Sequence, residues 1–232
     1  MHRQFQVATM GSLAVLTILA CRAASLAGAT ASAADENQDG YRPLFNGKDF
    51  SGWTDAQGNV PGRGWVVAGG AMGRKDPAGD IWTKDRFGNF VLDIEFKTEG
   101  NSGIFIRTDN PRDCVQTGIE IQVFTPTGKP SKHSCGAVYD ALAPSKDMVK
   151  SNAWNHVVIT AADNRIEVVM NGEKIIDMDL DRWSTPGQNP DDTKNKYQKA
   201  LKDFKREGHI GLQDHGAKVS YRNLKIRPLD KQ

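Results

Sequence analysis

Beyond residue 40, apolar and polar residues alternate with a period of two over most of the chain, and Gly, Asn, Asp and Pro break the runs. Alternate residues of an extended strand point to opposite faces, so these runs read as half-buried strands. Phe90-Val91-Leu92-Asp93-Ile94-Glu95-Phe96-Lys97 puts Phe90, Leu92, Ile94 and Phe96 on one face. Residues 102–107 follow after Glu99-Gly100-Asn101, which reads as a hairpin turn. Residues 154–161 and 165–170 read as strands around Asp163-Asn164. Asn171-Gly172, a strong hairpin signal, then turns the chain into residues 173–178. Residues 218–227 form a last strand with Val219, Tyr221, Asn223 and Lys225 on one face. Many short strands at this spacing predict an all-β antiparallel sandwich or barrel.

One segment departs from the pattern. Residues 189–207 are polar, with Tyr197, Leu201 and Phe204 at helical spacing, Asn189 placed to cap and Pro190 in the first turn. They predict a short amphipathic helix near the C-terminus, covering a sheet edge or closing as a lid beside the strand at His209.

The first 34 residues read as separate from the fold. Arg3 is a basic start, residues 7–20 are mostly small and apolar, and Ala31-Ser32-Ala33 ends in small residues. This is the pattern of a secretory signal cleaved near Ala33 or Ala34, with an apolar run too short for a comfortable membrane span. Ile18-Leu19-Ala20-Cys21 is an imperfect lipobox, which leaves a lipid-anchored Cys21 as an alternative. Residues 35–40 form a polar leader and residues 41–230 a single domain of ordinary core-forming size. No later segment is apolar enough to cross a bilayer. The protein is therefore expected to be exported, either periplasmic or secreted.

Losing the signal takes the formal charge from +2 to about zero, because it removes two arginines and no acid. A neutral domain has no electrostatic footprint for nucleic acid or anionic membrane. Cys114 and Cys135 would be the remaining cysteines, and an even pair in an exported protein suggests a disulfide. That bond would stabilise by roughly 3 kcal/mol on a chain-entropy basis. Two separate thiols are equally compatible with the sequence.

The chemistry concentrates in two stretches. In Gly118-Ile119-Glu120-Ile121-Gln122-Val123 the aliphatic residues face a core, while Glu120 and Gln122 share the other face. In His209-Ile210-Gly211-Leu212-Gln213-Asp214-His215-Gly216, Ile210 and Leu212 face inward and His209, Gly211, Gln213 and His215 outward. A carboxylate, two amides and imidazoles on open sheet faces suit a polar ligand such as a sugar. A divalent ion is a second reading, since Glu120 with His133, His156 or His215 offers suitable ligand types. No local spacing such as His-x-x-x-His supports it, and no Asp-rich calcium loop is present.

Several motifs occur in a recognisable order: Leu44-Phe45-Asn46-Gly47-Lys48-Asp49-Phe50-Ser51-Gly52-Trp53, Asn101-Ser102-Gly103-Ile104-Phe105-Ile106-Arg107, Thr117-Gly118-Ile119-Glu120-Ile121-Gln122 and Gly136-Ala137-Val138-Tyr139-Asp140. Trp154-Asn155-His156, Asn171-Gly172, the stretch from His209 to Gly216 and Tyr221-Arg222-Asn223 complete the set. In this order they resemble the 3-keto-disaccharide hydrolase domain family from about Tyr41 to Leu229. The resemblance implies a concanavalin A-like jelly roll of two antiparallel sheets with a sugar-binding concave face. It also implies action on glycosides whose sugar is oxidised to a ketone at C3, and hence a functional link to a sugar 3-dehydrogenase.

A ketone at C3 acidifies the C2 proton, so a base can remove it and the aglycone can leave C1 by elimination; water then adds to the enone. This needs a base near C2, a stabiliser for the C3 oxygen and an acid at the leaving oxygen. It does not need the paired carboxylates of ordinary glycosidases. Family 16 glycosidases of similar architecture carry Glu-x-Asp-x-x-Glu on one strand; the corresponding residues here are Glu120, Gln122 and Thr125. The missing carboxylate disfavours a β-glucanase and leaves a non-catalytic carbohydrate-binding module as the chief alternative.

Within this reading Glu120, His156 and His215 are the candidate proton-handling groups. Arg107, Gln122, Tyr139, Gln213, Trp82 and His133 are candidates for binding sugar, with Arg107 also placed to pair Glu120 or Glu95. His209 and Asp214 read as structural, and Trp53, Trp65 and Trp183 as packing residues.

Overall fold

The computed structural model describes residues 1–2 and 39–229. The signal segment, Cys21 and the polar leader up to residue 38 lie outside the described residues. Along residues 39–229 the strands are β1 (Arg42–Pro43), β2 (Trp53–Thr54), β3 (Trp65–Ala68), β4 (Ala71–Arg74), β5 (Ile81–Thr83), β6 (Phe90–Thr98) and β7 (Ser102–Thr108). They continue as β8 (Ile119–Val123), β9 (Asn155–Ala162), β10 (Arg165–Met170), β11 (Glu173–Asp179), β12 (His209–Leu212) and β13 (Val219–Pro228). All pairings are antiparallel. The larger sheet runs β11-β10-β9-β6-β13-β4-β3, with β1 also on β13, and the smaller runs β2-β5-β12-β7-β8. The two form a jelly-roll sandwich.

The alternation read from the sequence fills the space between the sheets. Phe90, Leu92, Ile94 and Phe96 of β6 meet Ile104 and Ile106 of β7, Ile119 and Ile121 of β8, and Ile210 and Leu212 of β12 in one buried core. Asn171 and Gly172, both at positive φ, make the tight β10–β11 turn.

Three local readings change. The turn at Glu99-Gly100-Asn101 is not a hairpin, because β6 and β7 belong to different sheets. The Glu99 N–H donates to the Lys218 carbonyl, and Thr98 and Gly100 bond each other, so the turn is a corner between sheets. In β13 a bulge between Arg222 and Lys225, with Asn223 at φ 54°, reverses the alternation. Val219 and Tyr221 face the core before it, and Leu224 and Ile226 after it.

The third change is the expected C-terminal helix. Residues 184–200 form an irregular strap, followed by one 3-10 turn at Leu201–Asp203. Its Asn and Asp side chains bond locally instead of leaving the backbone to a helix. Asp191 accepts from the Thr193 N–H and hydroxyl, and Asp192 stands at φ 66°. Asn189 turns inward to accept from Trp183 Nε1 and to donate to the Asp140 carbonyl. Tyr197, Leu201 and Phe204 are buried nonetheless. The α-helix of the described residues lies elsewhere: a 3-10 turn, Pro111–Asp113, capped by Asn110, leads into α1 (Cys114–Thr117).

Strand β8 is at the edge of the smaller sheet. Its outer side is nevertheless paired: the Gln122 N–H donates to the Ala137 carbonyl, and the Gly136 and Tyr139 N–H groups donate to Gln122 and Glu120. No helix among the described residues is long and apolar enough to cross a membrane.

Candidate active site

The outward face of the smaller sheet carries the site. Strand register aligns Thr54, Trp82, Gly211, Phe105 and Glu120 across β2, β5, β12, β7 and β8. Two glycines shape this surface. A Cβ on Gly103 would come within 2.8 Å of Glu120 Oε1, so the carboxylate leans over β7. A Cβ on Gly211 would lie 2.3 Å from the Trp82 ring, so the indole lies over β12.

Helix α1 and the strap cover the row. Gln116 of α1 donates to the Lys196 carbonyl and accepts from the Gln198 N–H. Beneath them Glu120 is only 4% exposed. Burying a carboxylate is costly without partners, and it has two. Lys196 Nζ donates to Oε2 at 2.9 Å, and Gln213 Nε2 donates to Oε1 at 3.2 Å. Lys196 also sits 4.2 Å from the centre of the Tyr139 ring, which is in turn 4.9 Å from the His133 ring. His133 Nε2 and Asp140 Oδ1 are 3.1 Å apart. Burial, then the negative Glu120 and Asp140, pushes the Tyr139 hydroxyl above its ordinary range.

A second polar file runs beside the first. The side-chain amides of Gln122 and Asn101 meet at 2.9 Å, and Asn101 Nδ2 donates to His215 Nδ1 at 3.2 Å. Thus Glu120, Gln122, Gln213, Tyr139, His133 and His215 lie around one region. The corner residue Asn101, placed by the sequence in a turn and at the head of a motif but not among the site residues, joins them.

Four expectations are corrected. Arg107 stands at a bulge with φ 51°, which turns its side chain away from Glu120. It donates to the carbonyls of Gly88 and Asp163 and to Asn89 Oδ1, tying the smaller sheet to loops of the larger. Burial and nearby Arg206 lower its pKa to about 10. His156 is on β9, exposed on the outer face of the other sheet, where its Nε2 is 2.9 Å from Asp93 Oδ1. Trp82 is 1% exposed and tilted against Phe105 at 5.4 Å, so its ring supports the site floor and offers no face for sugar stacking. Cys114 and Cys135 are free and unpaired with each other: Cys114 Sγ is 3.8 Å from Asp80 Oδ2, and Cys135 lies in the core. Nor do Glu120 and the histidines gather as metal ligands, since among the described residues no group of three or more His, Cys, Asp or Glu is placed to hold an ion.

Besides Asn101, two residues that the sequence did not mark as functional belong to the site. Lys196 supplies the cation expected of Arg107, and its position within a polar segment gave no signal. Asp80, just ahead of β5, accepts from the Asp214 N–H at 2.8 Å and faces the Cys114 thiol. Burial raises its pKa to about 6; the Asp214 N–H works against this, and the negative Asp214 and Glu120 add to it.

Open clefts lie on both sheets. One of about 590 Å³ lies over Asp93, Glu95, His156, Asn223 and Lys225 on the larger sheet. Its charges already pair with one another: Asp93 with His156 and Lys225, and Glu95 with Arg222. Another of about 440 Å³ lies beside Trp82 and His209, bounded by residues 54–58 and Pro111. It is on the sheet that carries Glu120, and it continues the row of side chains leading there.

Residues 40–227 match the family model described as a 3-keto-alpha-glucoside-1,2-lyase-like domain. A 3-keto-disaccharide hydrolase of Bacteroides thetaiotaomicron is 26% identical over 231 residues, covering 83% of this chain and 79% of that protein. A crystal structure from Parabacteroides distasonis, described as a candidate glycosyl hydrolase, has a TM-score of 0.73 at 33% identity over 82% of this chain and 99% of that one. A second candidate glycosyl hydrolase from the same organism has a TM-score of 0.68 at 27% identity, with coverages of 83% and 95%.

Proposed function

Because the chain belongs to the 3-keto-alpha-glucoside-1,2-lyase-like domain family, we propose that it cleaves glycosides whose sugar bears a ketone at C3, with Glu120 as the base. The family and its relatives make the protein a carbohydrate-active enzyme of the hydrolase class. The observation that carries the finer reading is the buried Glu120 carboxylate, held between an ammonium and an amide donor on the outward face of the smaller sheet.

Glu120 takes the C2 proton, electrons move toward the C3 oxygen, and the C1–O bond to the aglycone breaks. As Glu120 becomes neutral, Lys196 loses its anionic partner just as negative charge grows on the enolate, so its field moves to the new anion. Gln122, Asn101, Gln213 and His215 supply hydrogen bonds for ring hydroxyls, while His133 and Tyr139 wall the strap side. The cleft beside Trp82 and His209 gives room for the remainder of the glycoside. Water adding across the enone completes a net hydrolysis. A sugar 3-dehydrogenase acting beforehand supplies the ketone. Export through the segment at residues 1–34 is part of the same proposal, and N-terminal sequencing of the mature protein tests it.

The central test is aglycone release from a 3-keto-glucoside and from its unoxidised parent. Cleavage of the keto-sugar alone is expected, with Glu120→Gln slower by about 10²–10⁴-fold. Sugar binding without cleavage would make the protein a carbohydrate-binding module, and cleavage of the parent would make it an ordinary glycosidase.

A further inference from the structure

We infer that Asp80 is the catalytic acid of this site, giving its proton to the departing aglycone oxygen while Glu120 acts at C2; the inference rests on the keto-glycoside reading. Two carboxyl groups reach this sheet face in opposite electrostatic settings. Glu120 is paired with Lys196 and takes a second hydrogen bond from Gln213. Asp80 meets a backbone N–H and a thiol, and the charged groups that perturb it are Asp214 and Glu120, both negative. The cation beside Asp214 is already spent on it: Arg74 Nε lies 2.7 Å from Asp214 Oδ1. A carboxyl held in such a setting is how a site keeps a proton ready for a leaving group.

The geometry suits the division. Asp80 precedes β5 and Glu120 lies on β8, three strands away, or roughly 14 Å at ordinary strand spacing. Glu120 leans back over Gly103, which shortens that gap by about one strand. What remains, roughly 10 Å at that spacing, matches the span of a pyranose ring with a substituent on either side. Gln213 directly follows β12, between the two carboxyl groups, and its Oε1 is buried without a hydrogen-bond partner, an acceptor available to a sugar hydroxyl.

The protons balance. In the elimination Glu120 gains the C2 proton, the C–H electrons form the C1=C2 bond, and the aglycone oxygen leaves with the Asp80 proton. In the hydration the Asp80 carboxylate takes a proton from water as hydroxide adds to C1, and Glu120 returns its proton to C2. Both carboxyls finish as they began, with one water consumed. The histidine expected in this role from the sequence is not needed: His156 is on the other sheet, and His215 is exposed and engaged with Asn101.

The test compares methyl and 4-nitrophenyl 3-keto-glucosides with wild type, Asp80→Asn and Glu120→Gln. A nitrophenolate leaves without protonation, whereas an alkoxide does not. Asp80→Asn should lower kcat/KM about 10²–10⁴-fold on the methyl glycoside and leave the nitrophenyl glycoside nearly unaffected, while Glu120→Gln lowers both. Wild-type kcat/KM on the methyl glycoside should fall as pH rises through about 6, and that limb should vanish in Asp80→Asn. If Asp80→Asn does not fold, Asp80→Ser with added formate replaces it, and restoration of methyl-glycoside turnover by formate is the expected result. Equal loss on both substrates, or an alkaline limb that survives the substitution, would overturn the assignment while leaving the keto-glycoside reading in place. Turnover of neither keto-glucoside by wild type would overturn both.

Discussion

Asp80 and Asp214 are neighbours with opposite fates. Burial raises Asp80 to about 6. Burial also acts on Asp214, but the N–H groups of Ala78, Gly216 and Gly79 and the Arg74 guanidinium outweigh it and hold that carboxyl below its ordinary range. The sign of linkage follows from proton binding. Folded Asp80 holds its proton more tightly than the unfolded chain does, so its contribution to stability is complete below about 4 and is lost as pH rises through about 6. Asp80→Asn keeps an acceptor for the Asp214 N–H and removes the buried charge. It should therefore be more stable than wild type at pH 8, by up to about 3 kcal/mol, and should lose that advantage at pH 4. Urea melts at the two pH values measure the difference, and an equal shift at both would refute the account.

At the level of elements, the strap is the part that alternation does not encode. Its order comes from single side chains, Asn189 above all, which is buried and bonds Trp183 Nε1, the Asp140 carbonyl and Thr193 Oγ1. Asn189→Ala should cost roughly 2–4 kcal/mol, since it leaves a buried indole N–H and a carbonyl without partners. It should also raise KM by loosening Lys196. Chemical denaturation and steady-state kinetics check the two effects, and a stable variant with unchanged KM would count against the strap as a site wall.

The strands were legible because β9, β10 and β6 from Leu92 onward bury every second residue, while β8 and β12, buried on both faces, still alternate aliphatic residues with other types in their sequence. Glu120, Gln122 and Gln213 could be placed on one face for the same reason. Arg107 could not, because a bulge leaves no period to read, and Lys196 could not, because its position depends on contacts across 76 residues. The tripeptide at 99–101 looked like a hairpin because composition marks a reversal without saying which sheet receives the next strand.

For the molecule as a whole, the sandwich is held by its core and by inter-sheet ties such as Arg107, and no cross-link joins Cys114 to Cys135. Burial first, and the negative charges of Asp80 and Glu120 after it, push the Cys114 thiol up to about 12, and burial does the same for Cys135. Thiols so protonated are poor nucleophiles. Native protein should therefore react slowly with thiol reagents, denatured protein should release both thiols at once, and a reducing agent should leave Tm unchanged. A fall in Tm on reduction would show a bond between them.

The segment at 136–139 that covers the free side of β8 also carries Tyr139 into the site. A bare strand edge is a template for pairing with other chains. Damage to this segment would uncover such an edge on the very strand that bears Glu120. Inactive variants from this stretch should accordingly accumulate in inclusion bodies, so that a screen for lost turnover and a screen for lost solubility would converge on the same few positions.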